Sequence, residues 1–322
     1  MHAVDSQRAR VEQLGARMLT EAELSRYALP EHEVAKLKRA ESWCDDVIGY
    51  FHAGASETGC VLPWGKTHSA IRIRPAELSI WAGVNGHGKS LLHSQIELAL
   101  LRQSQRVCIA SLEMKPLQTM VRMVRQGVGG ESPAPSLIRE FAGSLGGNLW
   151  IYDQQGTVDA RRMLAVVRYA REELKVDHFV IDSLMKCGIG VDDYNAQKSF
   201  CDQLSTYAKD SGLHIHLIAH SRKRQNEHGV MDKFDIKGAG EITDMADNVF
   251  TLWRNKPKEE KAQKGDLKPD DKAAPDAILV CDKQRNGDWE GRINLWFVKR
   301  ALQYVAKPTT QAIDMMRWPF ND

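Results

Sequence analysis

The sequence of 322 residues predicts an α/β fold with a mainly parallel sheet and a short helical arm in front of it. Short, almost continuously apolar segments between residues 77 and 253 alternate with segments of helical periodicity. Strands that are apolar on both faces are typical of parallel sheets whose two faces are covered by helices. A glycine-rich turn and then a helix follow the first apolar segment, which is the order of elements at phosphate-binding sites.

Each apolar segment is predicted to be one strand of this sheet. The predicted strands are Glu77–Ala82, Arg106–Ser111, Asn148–Tyr152, His178–Ile181, His214–Ala219 and Asn248–Trp253. A predicted helix over Ser90–Leu101 connects the first two. After residue 277, two further strand-like segments flank the turn Asn286–Asp288, which favours a closing hairpin. Residues 256–276 balance lysine against acidic residues with few apolar ones, which predicts a solvent-exposed loop.

Residues 1–55 are predicted to form a helical arm and linker, and residues 56–322 to form one globular domain. The T-x-x-E sequence Thr20–Glu23 predicts a capping box. Apolar residues then recur at helical spacing from Val34 to Phe51. An amphipathic helix of this kind can fold back onto its own domain or dock onto a neighbouring copy, and the sequence leaves both arrangements open.

Composition and charge narrow the class of protein. The net charge is only +2, so a nucleic-acid interaction has to depend on local basic clusters. No run of about 18 apolar residues is present, which excludes a typical membrane-spanning helix. The N-terminus lacks the apolar core of a signal peptide. Six cysteines without a C-x-x-C pair favour reduced core thiols over a zinc ribbon or a redox motif, so we expect a cytoplasmic protein.

The segment Gly83–Ser90 matches the complete phosphate-binding pattern G-x-x-x-x-G-K-S. Its glycines allow successive backbone N–H groups to point at phosphate oxygens, and the following helix adds its positive end. Lys89 is expected at the β- and γ-phosphates, and the Ser90 hydroxyl at Mg²⁺. The residues expected to hold ATP are Gly83, Asn85, Gly86, His87, Gly88, Lys89, Ser90 and Leu91.

Two carboxylates follow two of the predicted strands. Asp182 ends the strand His178–Ile181, where a metal-linked acid is expected. Glu113 follows the strand Arg106–Ser111, so we expect it to activate water as the general base. From the residues alone, the less favoured alternative is that Glu113 is an acid that stabilises the start of a helix.

Several motifs together resemble one known family. Ser111–Met114 looks like the S-L-E-M of DnaB-type replicative helicases, and Lys283–Gly287 is similar to their K-Q-R-N-G. Asp235–Gly240, followed by Ala246–Asn248, resembles a further segment of these RecA-like hexameric helicases. Ala219–Lys223 is more similar still to the Twinkle and bacteriophage primase–helicase branch. The resemblance extends over about residues 60–305 and implies a RecA-like P-loop NTPase core that uses ATP and Mg²⁺.

The resemblance implies roles for several residues. His220 corresponds to the residue that senses the γ-phosphate and relays its state to DNA. Lys283 and Arg285 correspond to the pair that reaches the nucleotide of a neighbouring subunit, with Arg285 as the arginine finger. Arg254 and Phe297 correspond to residues that pack on the base. From the residues alone, the segment Lys283–Arg285 could instead be a solvated strand edge, and Phe297 could belong to the core.

DNA contacts are expected from the loops that follow two strands, over residues 186–198 and 221–240. The resemblance aligns Lys237 and Gly238 with a loop that tracks the DNA backbone. Arg222 and Lys223 begin a basic cluster that can contact phosphates or can simply be solvated.

The implied protein is an ATP-dependent replicative helicase that moves on single-stranded DNA as a homo-oligomeric ring, expected to be a hexamer, in a bacterial or phage-infected cell. Active sites at subunit interfaces and primase or replisome partners are also implied. Residues 1–55 are too short for a primase domain and lack zinc ligands, so a small arm or a missing domain is expected there. The alternatives are a RecA/RadA-like recombinase and an ATP-gated helicase adaptor or loader.

Overall fold

The computed structural model describes residues 34, 36–52, 58–190, 192–220 and 239–317. The chain divides into two units, Met1–Glu57 and Thr58–Asp322. In the first unit, a 3-10 helix over Ala40–Trp43 continues into α1 (Cys44–His52), whose apolar side chains are exposed. The predicted capping box at Thr20 lies outside the described residues. The predicted boundary after residue 55 and the docking of the arm stay predictions.

The described part of the second unit contains a nine-stranded sheet in the order β3-β2-β4-β5-β1-β6-β7-β8-β9. Its strands are β1 (Leu78–Ala82), β2 (Val107–Ser111), β3 (Leu149–Ile151), β4 (His178–Asp182), β5 (His214–Ile218), β6 (Asn248–Arg254), β7 (Ala277–Gln284), β8 (Gly291–Val298) and β9 (Gln303–Val305). Strands β1 to β6 run parallel to one another, and β7, β8 and β9 are antiparallel additions. The predicted parallel sheet and the closing hairpin are therefore confirmed.

Helices cover both faces of the sheet. The described helices of this unit are α2 (Lys89–Arg102), α3 (Pro116–Val128), α4 (Pro135–Ser144), α5 (Ala160–Glu172), α6 (Tyr194–Ser211), α7 (Ala239–Met245), α8 (Lys256–Lys264) and α9 (Pro269–Ala273), of which α2, α3, α5 and α6 pack on the sheet. Local signals set several of their ends. Asp159 accepts hydrogen bonds from two backbone N–H groups at the start of α5. Gly129 and Gly212 end α3 and α6 in the left-handed conformation.

The alternation of side chains along the strands produces one apolar core on each face. Trp81 of β1 lies in a core with residues of α2 and α3, whereas its neighbour Ile80 lies in a core with residues of α5 and α6. Strand β1 is buried along its whole length, as are β2, β4 and β5. The carboxyl ends of these central strands meet at one edge of the sheet, and the loops that follow them create the candidate site.

Three fully buried histidines, His178, His214 and His216, lie together inside the sheet and are called the histidine cluster below. Their ring centroids are 4.4 to 5.4 Å apart. The His216 ring accepts a hydrogen bond from Trp81 Nε1 at 3.1 Å and contacts the His178 ring at 3.2 Å. Burial lowers the pKa of all three imidazoles, that of His214 to about 4, so the cluster is neutral in the folded protein.

The prediction of a solvent-exposed loop over residues 256–276 is wrong, because this segment contains α8 and α9. The Asn255 side chain accepts a hydrogen bond from the Lys258 backbone at the start of α8, and Gly265 ends this helix with a φ of 77°. Neither helix has a buried residue. The end signals outweigh the lack of an apolar face, so a charge-based prediction missed both helices.

No helix within the described ranges combines the length and the apolar character needed to cross a bilayer.

Candidate active site

The glycine-rich turn has the backbone shape that the sequence predicted. Gly83, Gly86 and Gly88 have φ angles of 150°, 78° and 85°, a region that disfavours side chains. A Cβ atom on Gly83 would lie 2.5 Å from the Leu252 carbonyl oxygen. On Gly88 it would lie 2.8 Å from the hydroxyl of Tyr304. Glycine is therefore required at these two positions by neighbouring groups as well as by backbone conformation.

Lys89 lies inside this turn and is buried. Its ammonium donates hydrogen bonds to the carbonyl oxygens of Gly83 at 2.9 Å and Val84 at 3.2 Å. Burial lowers the Lys89 pKa to about 8, against the opposing effect of the Asp182 and Glu113 charges. The ammonium stays charged at neutral pH, and an anion bound beside it would be strongly favoured.

The rest of the turn surrounds this ammonium. Asn85 and Gly86 are exposed, His87 is buried, and Leu91 is half-buried against the core. The ring of His87 accepts a hydrogen bond from the Arg254 backbone N–H at 3.2 Å. The predicted ATP-binding residues thus lie together in the turn after β1 and at the start of α2.

Ser90 and Asp182 face each other across the site. The Ser90 hydroxyl donates a hydrogen bond to the Asp182 carboxylate, which opposes the rise in the Asp182 pKa caused by burial. Among the described residues, no group of three or more histidine, cysteine or acidic side chains could hold a metal ion. A hydroxyl beside a carboxylate fits Mg²⁺, which usually takes one or two protein ligands and completes its shell with water and phosphate.

Glu113 and His220 meet beside the glycine-rich turn Gly83–Ser90, called the P-loop below. They meet there because β2, β4 and β5 are neighbours in the sheet. Each residue lies two positions after the end of its strand. The His220 ring lies 3.1 Å from Lys89 Nζ and 3.7 Å from a Glu113 carboxylate oxygen. Burial, and then the Lys89 charge, lower the His220 pKa to about 4, so this imidazole is neutral at physiological pH. Glu113 is 42% exposed and can therefore reach solvent.

Arg254 lies on the other side of the turn, at the end of β6. Its guanidinium donates to the Gly86 carbonyl at 3.2 Å and pairs with Glu259 of α8. Phe297 is half-buried, and its ring centroid lies 5.1 Å from that of Tyr304. Tyr304 in turn touches Gly88, as described above, so the aromatic pair continues the surface of the turn. No sequence pattern indicates Tyr304, because a tyrosine in a short C-terminal strand belongs to no motif.

Lys283 and Arg285 lie elsewhere. Gln284 between them pairs with Asn248, which pairs with Ser79 in β1. Ser79 precedes Gly83 by four residues. At about 3.3 Å per residue, the backbone at Gln284 therefore lies about 13 Å from the turn along the strand direction. The cationic pair therefore lies toward the amino ends of the parallel strands, and its own chain does not bring it to its P-loop.

Contacts with the end of α7 and with Asp247, the residue before β6, hold Lys283 and Arg285 in place. Lys283 donates to the Thr243 carbonyl at 2.9 Å, and Arg285 donates to the Asp244 carbonyl at 3.1 Å. Arg285 also forms an ion pair of 3.2 Å with the buried carboxylate of Asp247. Its side chain nevertheless remains 43% exposed, so part of the guanidinium is open to solvent.

The four predicted DNA-binding residues, Arg222, Lys223, Lys237 and Gly238, lie outside the described residues. The other predicted DNA loop is described in part. A 3-10 helix over Leu184–Lys186 follows β4, and α6 begins at Tyr194, so the predicted loop over residues 186–198 is wrong from residue 194 onward. Lys186 lies near the site, since its charge contributes to lowering the His220 pKa.

Known proteins match both the sequence and the fold. The model of the DnaB-like helicase C-terminal domain matches residues 71–306. The DNA helicase/primase of enterobacteria phage T3 is 24% identical over 260 aligned residues, and the match covers 73% of this chain and 42% of the phage protein. The chain thus spans less than half the length of this relative.

Two solved structures have the same fold. One is a separate ATPase domain, which matches with a TM-score of 0.68 and 15% identity, over 84% of this chain and 99% of that domain. The other is a DnaB-like replicative helicase, described with its interactions with primase, which matches with a TM-score of 0.66 and 14% identity, over 94% of this chain and 75% of that one. The predicted RecA-like core is confirmed by these neighbours. With the family model covering residues 71–306, this chain belongs to the DnaB-like helicase C-terminal domain family.

Proposed function

We propose that this chain is the ATP-hydrolysing motor of a replicative DNA helicase, which moves along single-stranded DNA and unwinds the duplex ahead of it. The observation that carries the proposal is the convergence of Lys89, Ser90, Asp182, Glu113 and His220 at one edge of the sheet. This set contains a cation for phosphate, a pair for a metal and a carboxylate for water. Membership of the helicase family supports the same conclusion.

The chemistry assigned to these residues follows from their surroundings. Lys89 binds the β- and γ-phosphates, because its buried ammonium gains most from an anionic ligand. Ser90 and Asp182 would hold Mg²⁺, which when bound supplies positive charge against the phosphates. Glu113 accepts a proton from the attacking water, for which its partial exposure leaves room. Neutral His220 contacts Lys89 and is close to Glu113, so it can respond to the phosphate that Lys89 binds.

On the base side of the nucleotide, Arg254 and Phe297 are assigned to packing against adenine. Arg254 contacts the P-loop through Gly86, and Phe297 contacts it indirectly through Tyr304. A guanidinium plane and an aromatic ring can both stack on a base.

Arg285 and Lys283 are assigned to the active site of the adjacent subunit in a homohexameric ring. Their distance from the P-loop of their own chain and the exposure of Arg285 support this assignment. A cation supplied in trans couples hydrolysis to assembly, because an isolated subunit lacks part of the charge that stabilises the transition state.

Arg222, Lys223, Lys237 and Gly238 are assigned to the backbone of single-stranded DNA, without sequence preference. A primase or another replisome protein is the proposed partner of the ring, in the cytoplasm of a bacterial or phage-infected cell. The resemblance to a helicase described with its primase supports this partner.

The test is steady-state ATP hydrolysis with and without single-stranded DNA, for the natural protein and for Glu113→Gln. We expect DNA to stimulate hydrolysis by the natural protein, and Glu113→Gln to bind ATP with ordinary affinity but to lose turnover, since binding depends on Lys89 and the metal. Unstimulated hydrolysis would favour a loader, and strand exchange by filaments would favour a recombinase. A collapse of ATP affinity in Glu113→Gln would make Glu113 structural.

A further inference from the structure

Ser183 occupies the centre of the site, although it is neither a P-loop residue nor a predicted catalytic residue. It follows Asp182 directly at the end of β4 and is fully buried. Its hydroxyl donates a hydrogen bond to a Glu113 carboxylate oxygen at 3.0 Å. The Ser183 hydroxyl oxygen also lies 3.3 Å from the Nε2 atom of His220. A single hydroxyl therefore contacts both the proposed general base and the proposed phosphate sensor.

These contacts extend to the P-loop and run in one direction. The ammonium of Lys89 can only donate, so the Nδ1 atom of His220 accepts from it at 3.1 Å. A neutral imidazole that accepts at Nδ1 carries its proton on Nε2, which donates to the Ser183 oxygen. The Ser183 proton is then left for the carboxylate of Glu113, which accepts. Each hydrogen bond is therefore donated to the next residue along the row: Lys89 donates to His220, His220 to Ser183, and Ser183 to Glu113.

We propose that Ser183 is the positioning residue that connects the P-loop lysine to the general base. Only a group that accepts and donates at once can occupy this place, because the Nε2–H group of His220 needs an acceptor while Glu113 needs a donor. The proposal rests on the functions proposed above for Glu113 and His220. It adds that the orientation of Glu113 depends on what Lys89 binds.

The orientation of Glu113 depends on the ligand of Lys89 because of the hydrogen bond between Lys89 and His220. A phosphate group would compete with His220 for the ammonium of Lys89, and charge-assisted hydrogen bonds to phosphate are the stronger ones. A change at that contact alters the hydrogen bonding of His220, and through Ser183 that of the carboxylate. Glu113, being 42% exposed, lacks tight packing to orient it, so the loss of the hydroxyl should matter for turnover.

The experiment compares Ser183→Ala with Ser205→Ala. Ser205 is also a buried serine, but it lies on α6 and is not part of the site. Ser205→Ala therefore removes a buried serine hydroxyl without touching the active site. We expect Ser183→Ala to lower kcat by about tenfold with KM for ATP within about threefold, the usual pattern when a group that acts in the transition state is misplaced. Ser205→Ala should keep both constants near those of the natural protein. An unchanged kcat in Ser183→Ala, or parallel losses in both variants, would overturn the proposal.

A second measurement does not depend on how well the variant folds. The donor order requires the nucleotide-free natural protein to carry the His220 proton on Nε2. Nitrogen-15 NMR of the imidazole rings, with the His220 signals identified by their absence in His220→Gln, reports the tautomer directly. A proton on Nδ1 would overturn the proposed chain.

The failure of this proposal can be told apart from the failure of the proposed function. If Glu113→Gln hydrolyses ATP at the natural rate, the function assigned to Glu113 is wrong. If Glu113→Gln is inactive while Ser183→Ala is fully active, only the positioning function of Ser183 is wrong.

Discussion

The replacement Arg285→Ala tests whether the active site is shared between subunits. In its own chain the backbone between Lys283 and Arg285 lies about 13 Å from the P-loop along the strand direction, and the Arg285 guanidinium is bound to Asp244 and Asp247. We therefore expect Arg285→Ala to bind ATP normally and to lose turnover by about 10³-fold, the usual magnitude for an arginine finger supplied in trans. Steady-state ATP hydrolysis and the binding of a fluorescent ATP analogue measure the two effects separately.

Mixing Arg285→Ala subunits with a second variant tests whether Arg285 acts on the active site of a neighbouring subunit. A Lys89→Ala subunit lacks a working P-loop but has its arginine, whereas an Arg285→Ala subunit has the reverse. In a randomly mixed head-to-tail ring with equal amounts of both, about one quarter of the interfaces pair an intact P-loop with an intact arginine. We expect hydrolysis to recover toward about that fraction of the natural rate, provided that the interfaces act independently.

The control replaces Lys89→Ala by the double variant Lys89→Ala/Arg285→Ala, which supplies no arginine and should restore nothing. Mass measurement must show that the subunits exchange. If exchange is complete and no mixing ratio restores hydrolysis, Arg285 does not act on a neighbour, and the assignment of a shared site is refuted.

Three further predictions follow from the contacts described above. Lys89→Ala should abolish ATP hydrolysis while the circular dichroism spectrum stays unchanged, and residual activity within about tenfold of the natural rate would contradict the loss of several kcal/mol of charge stabilisation expected at this position. Asp247→Asn should reproduce the Arg285→Ala defect and should be complemented by Lys89→Ala subunits, because the buried carboxylate orients the guanidinium; a failure to complement would mean that Asp247 serves folding instead. The histidine cluster should make folding acid-sensitive: its folded pKa values lie below the unfolded value of about 6.5, so its contribution is complete above that pH and is lost as pH falls toward about 4. Urea unfolding at pH 7, 6 and 5 should show a loss approaching about 4 kcal/mol per pH unit for three histidines, and equal midpoints at pH 7 and 5 would contradict this account.

The fold class and the chemistry of the P-loop were predictable because both depend on neighbours in the sequence. Alternating apolar segments set the strands, and the spacing of Gly83, Gly88 and Lys89 sets the curl of the turn. The structure confirms each of the six predicted parallel strands to within one or two residues. The sequence also predicted that Asp182 and Glu113 would lie at the same edge of the sheet, since carboxyl ends of parallel strands share an edge.

Local pattern was a weaker guide in the charged segment before the hairpin. Residues 256–276 lack an apolar face, so periodicity gave no helix there, yet the caps at Asn255 and Gly265 produce one. Most helices are stabilised by a buried face, and a helix maintained by its ends alone lies outside that pattern.

The tertiary structure alone decided which distant groups touch. Ser183 meets Glu113 and His220 only because β4 lies between β2 and β5, an order that the sequence does not state. The same holds for Tyr304 against Gly88, where residues 216 positions apart meet after the antiparallel strands return to the P-loop. Sequence determines which side chains a strand carries and which face each occupies, because the alternation is a local property of the backbone. Which strands become neighbours depends on the packing of the whole chain, and that order determined the position of Ser183 and the distance of Arg285 from its own P-loop.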